Sequence, residues 1–249
     1  MPRDLVRRGL SSGLLARVIV TDSRDGDLAP QADSTALEVR QAGVAPIPWT
    51  WLRQVHGAGV VEVRWPGDRH GETADAAVTN RVGCTLSVTV ADCAPVAILA
   101  DGGGLAVVHA GWRGILGGVI ESAMDLLSNV SVGPFRAVIG PCINACCYAF
   151  GVDDLKRVVD HLGDRAGGKT CTGHPALDLP AAVSATLRGV GVVESQIDGT
   201  CTSCDDDYWS YRATGTRERH AMAAWLEPAS TIRTCEYRPR AQGGEHGRR

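Results

Sequence analysis

Long apolar runs are missing from this chain of 249 residues, and no stretch reaches the length that a membrane-spanning helix requires. A leader-like pattern is missing too. Arg3, Asp4, Arg7, Arg8 and Arg17 punctuate the first residues, with no uninterrupted apolar core before Val18. Neither sign of charge dominates: 25 Lys and Arg face 28 Asp and Glu, a formal net charge of −3, which excludes a basic footprint for nucleic acid. The arginines at the two ends, such as Arg7, Arg8, Arg248 and Arg249, read as solvated tails. Aromatic residues are scarce at 5%, yet 44% of the residues are hydrophobic, enough for a sizeable core. No Pro-, Ser- or Gly-rich linker divides the chain, so one domain is expected. The nine cysteines form an odd set without a secretory signal, which argues against a disulfide framework and for a cytoplasmic location.

What is there reads as alternating strands and helices. Arg17–Thr21 is the first predicted strand, followed by an Asp-rich loop from Asp22 to Asp33 and a short helix that Ser34 can cap. Val60–Val63, Ala76–Val78 and Leu86–Val90 read as strands. Val96–Ala100 and Leu105–His109 flank Asp101-Gly102-Gly103-Gly104, a hairpin signal. Apolar positions then recur at helical spacing from Ile115 to about Ser128, from Val152 to Leu162 and from Pro180 to Arg188. Strands are expected at Ala137–Ile139, around Val192–Ile197 and at Ala221–Leu226. Hairpins mixed with single helices suggest an α/β (α+β) fold of mixed sheets with helices outside.

Three short strings carry the chemistry: Gln54-Val55-His56-Gly57, Thr89-Val90-Ala91-Asp92-Cys93-Ala94-Pro95-Val96, and His109-Ala110-Gly111-Trp112-Arg113-Gly114. Each offers one nitrogen or sulfur donor near the end of an apolar segment. Two imidazoles and a thiol suit zinc and, less often, copper, and three protein ligands leave a fourth position open for catalysis. His109 sits at a strand end before two glycines and a helix start, where anions are favoured. Arg113 adds a guanidinium able to fork onto a phosphate or carboxylate.

With Ala74-Asp75-Ala76-Ala77-Val78-Thr79-Asn80, Ile139-Gly140-Pro141-Cys142-Ile143, Cys146-Cys147-Tyr148, Cys201-Thr202 and Ser210-Tyr211-Arg212, these strings run in the order of a known family. The chain resembles the bacterial laccase-domain, or multicopper polyphenol oxidase, family. Members of that family have been described as purine nucleoside phosphorylases with adenosine deaminase activity, and some as peptidoglycan editing factors. The resemblance spans roughly residues 17–227, leaving 1–16 as an N-terminal extension and 228–249 as a partly disordered tail. It implies a single domain in a four-layer α–β–β–α sandwich, with His56, Cys93 and His109 as metal ligands. The implied function is a zinc-dependent purine nucleoside phosphorylase that takes a nucleoside and phosphate. Neither nucleic acid nor membrane is an expected partner, and the sequence leaves the oligomeric state open.

Around the metal ligands, Asp92 and Arg113 are candidate catalytic groups, and Asp75, Tyr148 and Arg212 candidate substrate contacts. Asp92 and Asp75 also fit as carboxylates that orient an imidazole or move a proton. His70, His161, His174, His220 and His246 read as exposed. Cys142, Cys146, Cys147 and the Cys201-Thr202-Ser203-Cys204 pair read as core or loop thiols, because one Cys-x-x-Cys without a spaced partner pair is a weak zinc signal. Two departures from the family pattern bear on the pocket. The Asn-containing loop ahead of Gln54 is absent, no asparagine occurring before Asn80, and Ala149 and Phe150 follow Tyr148 where the family carries glutamate. Copper-dependent phenol oxidation, hydrolysis of a peptidoglycan precursor and a non-catalytic metal-stabilised binding protein are the alternative readings. Seven scattered histidines are too few for a mononuclear plus a trinuclear copper site.

Overall fold

The computed structural model describes residues 2–46 and 48–229; the tail from 230 onward lies outside the described residues. Two sheets form the centre. One runs β1 (Arg3–Gly9), β2 (Leu14–Val20), β13 (His220–Pro228), β6 (Thr85–Val90) and β3 (Trp49–Thr50). The other runs β12 (Val192–Ile197), β9 (Phe135–Ile139), β7 (Ala94–Ala100), β8 (Gly104–Ala110), β5 (Ala76–Thr79) and β4 (Val60–Glu62). Both mix parallel and antiparallel pairs. A small ribbon joins β10 (Gly167–Lys169) to β11 (Pro175–Leu177).

Side-chain alternation explains the layering. Along β7, Ala94, Val96 and Ile98 face a helical layer, while Ala97 and Leu99 face the other sheet. In β13, Met222, Ala224 and Leu226 point between the sheets, and Ala221, Ala223 and Trp225 point outward. Strands buried on both faces read as continuous apolar runs, as these do. Helices α3 (Val119–Val130) and α5 (Leu179–Gly189) cover the six-stranded sheet, with α2 (Trp112–Leu116) and α4 (Val152–Leu162) beside them. Helix α1 (Ser34–Val44) covers the five-stranded sheet through Leu37, which joins Leu28 and Trp49 in a cluster against Ile19 and Trp225. The result is the expected α–β–β–α sandwich.

Several elements differ from expectation. The stretch read as an extension carries β1, which pairs antiparallel with β2; charged residues on both sides of Leu5 and Val6 hide this half-exposed edge strand. The single helix expected from Ile115 to Ser128 is two. Gly117 and Gly118 end α2, and Gly118 takes φ 86° before α3 begins. A backbone turn in that region favours glycine. The cap of α1 is Asp33, whose carboxylate accepts from the Ala36 N–H at 2.9 Å, rather than Ser34. His220 is not exposed: it is fully buried in β13, edge-on to Tyr208 at 5.2 Å, and burial pushes its imidazole down to about 3.

Leu127 of α3 is fully buried, whereas Val39 of α1 is 70% exposed. Leu127→Ala should cost about 2–5 kcal/mol of unfolding free energy, since it leaves a cavity. Val39→Ala should change it by no more than about 0.5 kcal/mol. Denaturant titration of both variants checks the layering, and equal losses would contradict it.

Candidate metal centre

The site is assembled by strand pairing. The β7–β8 hairpin sets Pro95 opposite His109, which brings Cys93, just ahead of β7, beside the end of β8. On the other side β5 pairs with β8, setting Ala76 opposite Val108, and the His109 N–H donates to the Asp75 carbonyl at 2.7 Å. Asp75, His109 and Cys93 thus meet at one end of the sheet. His56 arrives from the segment between β3 and β4, where the chain takes φ 59°.

The Asp75 side chain, with no exposed surface, fixes that segment. It accepts from the N–H groups of Val55, His56 and Gly57 at 2.8–3.2 Å. The same carboxylate meets His109 Nδ1 at 2.8 Å, which leaves Nε2 free to face Cys93. Burial disfavours its charge, but His109 and the amide donors outweigh that and hold it below the usual carboxylate range. Asp75 therefore orients an imidazole and a turn from a position with no exposed surface.

The donor atoms fit a metal ion. Cys93 Sγ lies 3.7 Å from His56 Nε2, and one donor atom each from His56, Cys93 and His109 lie within 4.8 Å of one another. Tetrahedral zinc with ordinary Zn–S and Zn–N bonds would separate sulfur from nitrogen by about 3.6 Å. Gly111 makes the room: a Cβ there would stand 2.9 Å from His56 Cδ2 and 3.1 Å from Cys93 Sγ. Burial alone would raise the Cys93 thiol and lower His109. Their mutual attraction, helped by His56 and Asp75, reverses both, bringing Cys93 down to about 6 and His109 up to about 9.

Asp92, expected as a proton-transfer group, lines the cleft and is held by a network of its own. Its φ is 97°, a conformation rare for any residue with a Cβ. Its carboxylate accepts from Thr202 Oγ1 at 2.8 Å, Ser210 Oγ at 2.7 Å and the Arg212 N–H at 2.6 Å. Its carbonyl accepts from the Ile143 N–H at 2.9 Å. Four contacts hold the residue before Cys93 in place and tie three chain segments to it. Strain of about 1–3 kcal/mol at such a position persists only when its surroundings enforce it.

A cleft of about 710 Å³ opens over His56, Cys93 and His109. Its aromatic wall is continuous: Tyr148 meets Phe150 edge-on at 5.3 Å, and Phe150 meets Trp112 at 5.2 Å. Arg53, Arg113, Arg212 and Arg219 line the same cleft. The Arg113 guanidinium lies over Trp112 at 4.4 Å, and that of Arg212 lies over Tyr148 at 4.8 Å while donating to the Ala149 carbonyl at 2.9 Å. Burial raises the Tyr148 hydroxyl to about 12, so it stays a proton donor. Sequence reasoning missed Phe150 and Trp112 as a paired wall, although each lies in or beside a string already singled out. Of the four arginines that line the cleft it named Arg113 and Arg212 but not Arg53 and Arg219.

Residues 7–227 match the family described as multi-copper polyphenol oxidoreductase laccase. The chain belongs to that laccase-domain family. Among its relatives, a protein of Streptomyces coelicolor named purine nucleoside phosphorylase is 37% identical over 196 residues, covering 77% of this chain and 80% of its own. A purine nucleoside phosphorylase of Deinococcus radiodurans is 34% identical, covering 82% and 79%. The crystal structure of a Neisseria meningitidis protein superposes with a TM-score of 0.76 at 25% identity, covering 90% of this chain and 99% of that one. Among the described residues of this laccase-domain protein, no helix is long and apolar enough to cross a membrane.

In metal-free protein, Cys93 should be thiolate above a pH of about 6. Alkylation rate against pH should therefore rise with a midpoint near that value, and added zinc should suppress it. The thiolate is the reactive form. A midpoint near the ordinary thiol value of about 8.5 would contradict the Cys93–His109 pairing.

Proposed function

We propose that this protein is a zinc-dependent purine nucleoside phosphorylase, cleaving adenosine or inosine with phosphate to free base and ribose 1-phosphate. The observation that carries the reading is a single cleft that joins the two-imidazole, one-thiolate donor set to an aromatic wall and to four guanidinium groups. The names carried by its relatives point the same way. Zinc rather than copper is favoured by the donor set, because no further imidazole joins it among the described residues.

Phosphorolysis forms a bond from phosphate oxygen to the ribose C1′ as the bond from C1′ to the base breaks. Tyr148, Phe150 and Trp112 offer faces and edges to the base, the arrangement in which stacking is sequence-tolerant and strong. Arg113 supplies charge-assisted hydrogen bonds to phosphate, and Arg212, already braced by Ala149, presents its remaining donors beside it. The Tyr148 hydroxyl donates a hydrogen bond to an anionic or carbonyl acceptor. A zinc ion held by His56, Cys93 and His109 would supply a Lewis acid and a lowered pKa for water. That chemistry also suits deamination of adenosine, the second activity we assign to this pocket. Pro30 and Gln31 line the cleft, so the segment lacking the family's Asn-containing loop borders the substrate and bears on its range.

Inosine should therefore yield hypoxanthine and ribose 1-phosphate only when phosphate is present. Arg113→Ala should raise the phosphate KM about tenfold to a hundredfold, the equivalent of a lost contact of about 1.5–3 kcal/mol. Product chromatography with and without phosphate decides the matter. Base release independent of phosphate would make the enzyme a hydrolase and overturn the proposal.

A further inference from the structure

Two turns far apart in sequence bring four thiols together. Cys146 and Cys147 lie in a turn closed by the Cys147 N–H donating to the Asn144 carbonyl at 3.0 Å. Cys201 and Cys204 lie in a second turn, closed by the Cys204 N–H donating to the Cys201 carbonyl at 3.0 Å. The turns are aligned by the parallel bridge between Cys142 and Cys201. Cys146 Sγ is 3.6 Å from Cys201 Sγ and 3.6 Å from Cys204 Sγ, and Cys147 Sγ is 3.1 Å from Cys204 Sγ. All four sulfurs lie within 4.8 Å of one another, and all four thiols are free.

We propose that Cys146, Cys147, Cys201 and Cys204 bind a second zinc ion as a closed tetrathiolate site, distinct from the His56–Cys93–His109 centre. The sulfur separations decide the class of ligand. Four sulfurs around one zinc with ordinary Zn–S bonds stand about 3.8 Å apart, close to the spacing found. A polynuclear iron–sulfur cluster needs its cysteines spread around several irons, a wider cage than this one. Four protein ligands leave no open position, the mark of a structural rather than a catalytic site. Binding exchanges four S–H protons, released to solvent, for four Zn–S bonds, with no change of oxidation state. The Asn144 N–H donates to Cys201 Sγ at 3.4 Å and supports the resulting negative charge. Cys204, at the exposed edge, gives the ion a way in.

The position gives the site a purpose. The first turn leads directly into Tyr148 and Phe150 of the cleft wall. The second leads into Thr202, Ser210 and Arg212, which hold Asp92. One ion would clip together two segments, one carrying Tyr148 and Phe150 of the cleft lining and the other Arg212. This proposal does not depend on which reaction the cleft performs.

Metal content of the full chain, purified anaerobically with reductant, tests it by elemental analysis and native mass spectrometry. Wild-type protein should hold two equivalents of zinc. Cys93→Ala should keep one, and the Cys147→Ser/Cys204→Ser double variant should lose one while keeping the other. Cobalt(II) in the Cys93→Ala protein should give sulfur-to-metal charge-transfer bands and the visible bands of a tetrahedral site. No zinc in folded Cys93→Ala, a zinc content unchanged in the folded double variant, iron in place of zinc, or a mass deficit showing that the four thiols are joined as disulfides would each overturn it. Should Cys93→Ala fail to fold, the double variant's zinc content against wild type decides.

Discussion

The hydrogen bond between His109 Nδ1 and the Asp75 carboxylate is the interaction on which the rest of the centre depends. One buried carboxylate sets the tautomer of His109, presenting Nε2 to Cys93, and also gathers the N–H groups of Val55, His56 and Gly57. That second set of bonds holds His56 at its left-handed φ. A ligating imidazole usually has such an outer partner, and losing one typically weakens metal binding. Here a single carboxylate bonds one imidazole and the backbone that carries the other, so the placement of both depends on it.

A second buried carboxylate does the matching work on the sulfur side. Asp92 stands at φ 97° beside Cys93 and is held by Thr202, Ser210 and Arg212 from the far end of the chain. The backbone of both ligand segments is thus strained, and in each case carboxylate hydrogen bonds hold it. Strain enforced in this way is characteristic of functional sites. The double-sided β7–β8 hairpin supplies the rigid frame, since its residues are buried on both faces and cannot slip register without exposing a core face.

Much of this was legible from residue pattern. Continuous apolar runs marked β7 and β8, the Asp101–Gly104 turn marked their hairpin, and family strings marked His56, Cys93 and His109. What escaped did so for physical reasons. The edge strand β1 carries Arg3, Asp4, Arg7 and Arg8 around Leu5 and Val6 and so resembles a polar tail. The break between α2 and α3 turns on Gly117 and Gly118 inside an otherwise unbroken helical period. His220 looked exposed because one residue says nothing about which face its strand buries. Asp75 and Asp92 were visible as acidic residues, but their partners come from up to 120 positions away in the chain, a juxtaposition only the fold reveals. The four clustered thiols were hidden in the same way.

Zinc affinity of the Asp75→Asn variant tests the central dependence most directly. The amide keeps the size of the carboxylate but loses the charge and the acceptor geometry that orient His109 and the His56 turn. Competition with a chelator of known affinity should show zinc at the His56–Cys93–His109 centre bound about 10–100-fold more weakly, in protein whose circular dichroism shows the sheets intact. Unchanged affinity in folded protein would contradict the dependence of both imidazoles on Asp75.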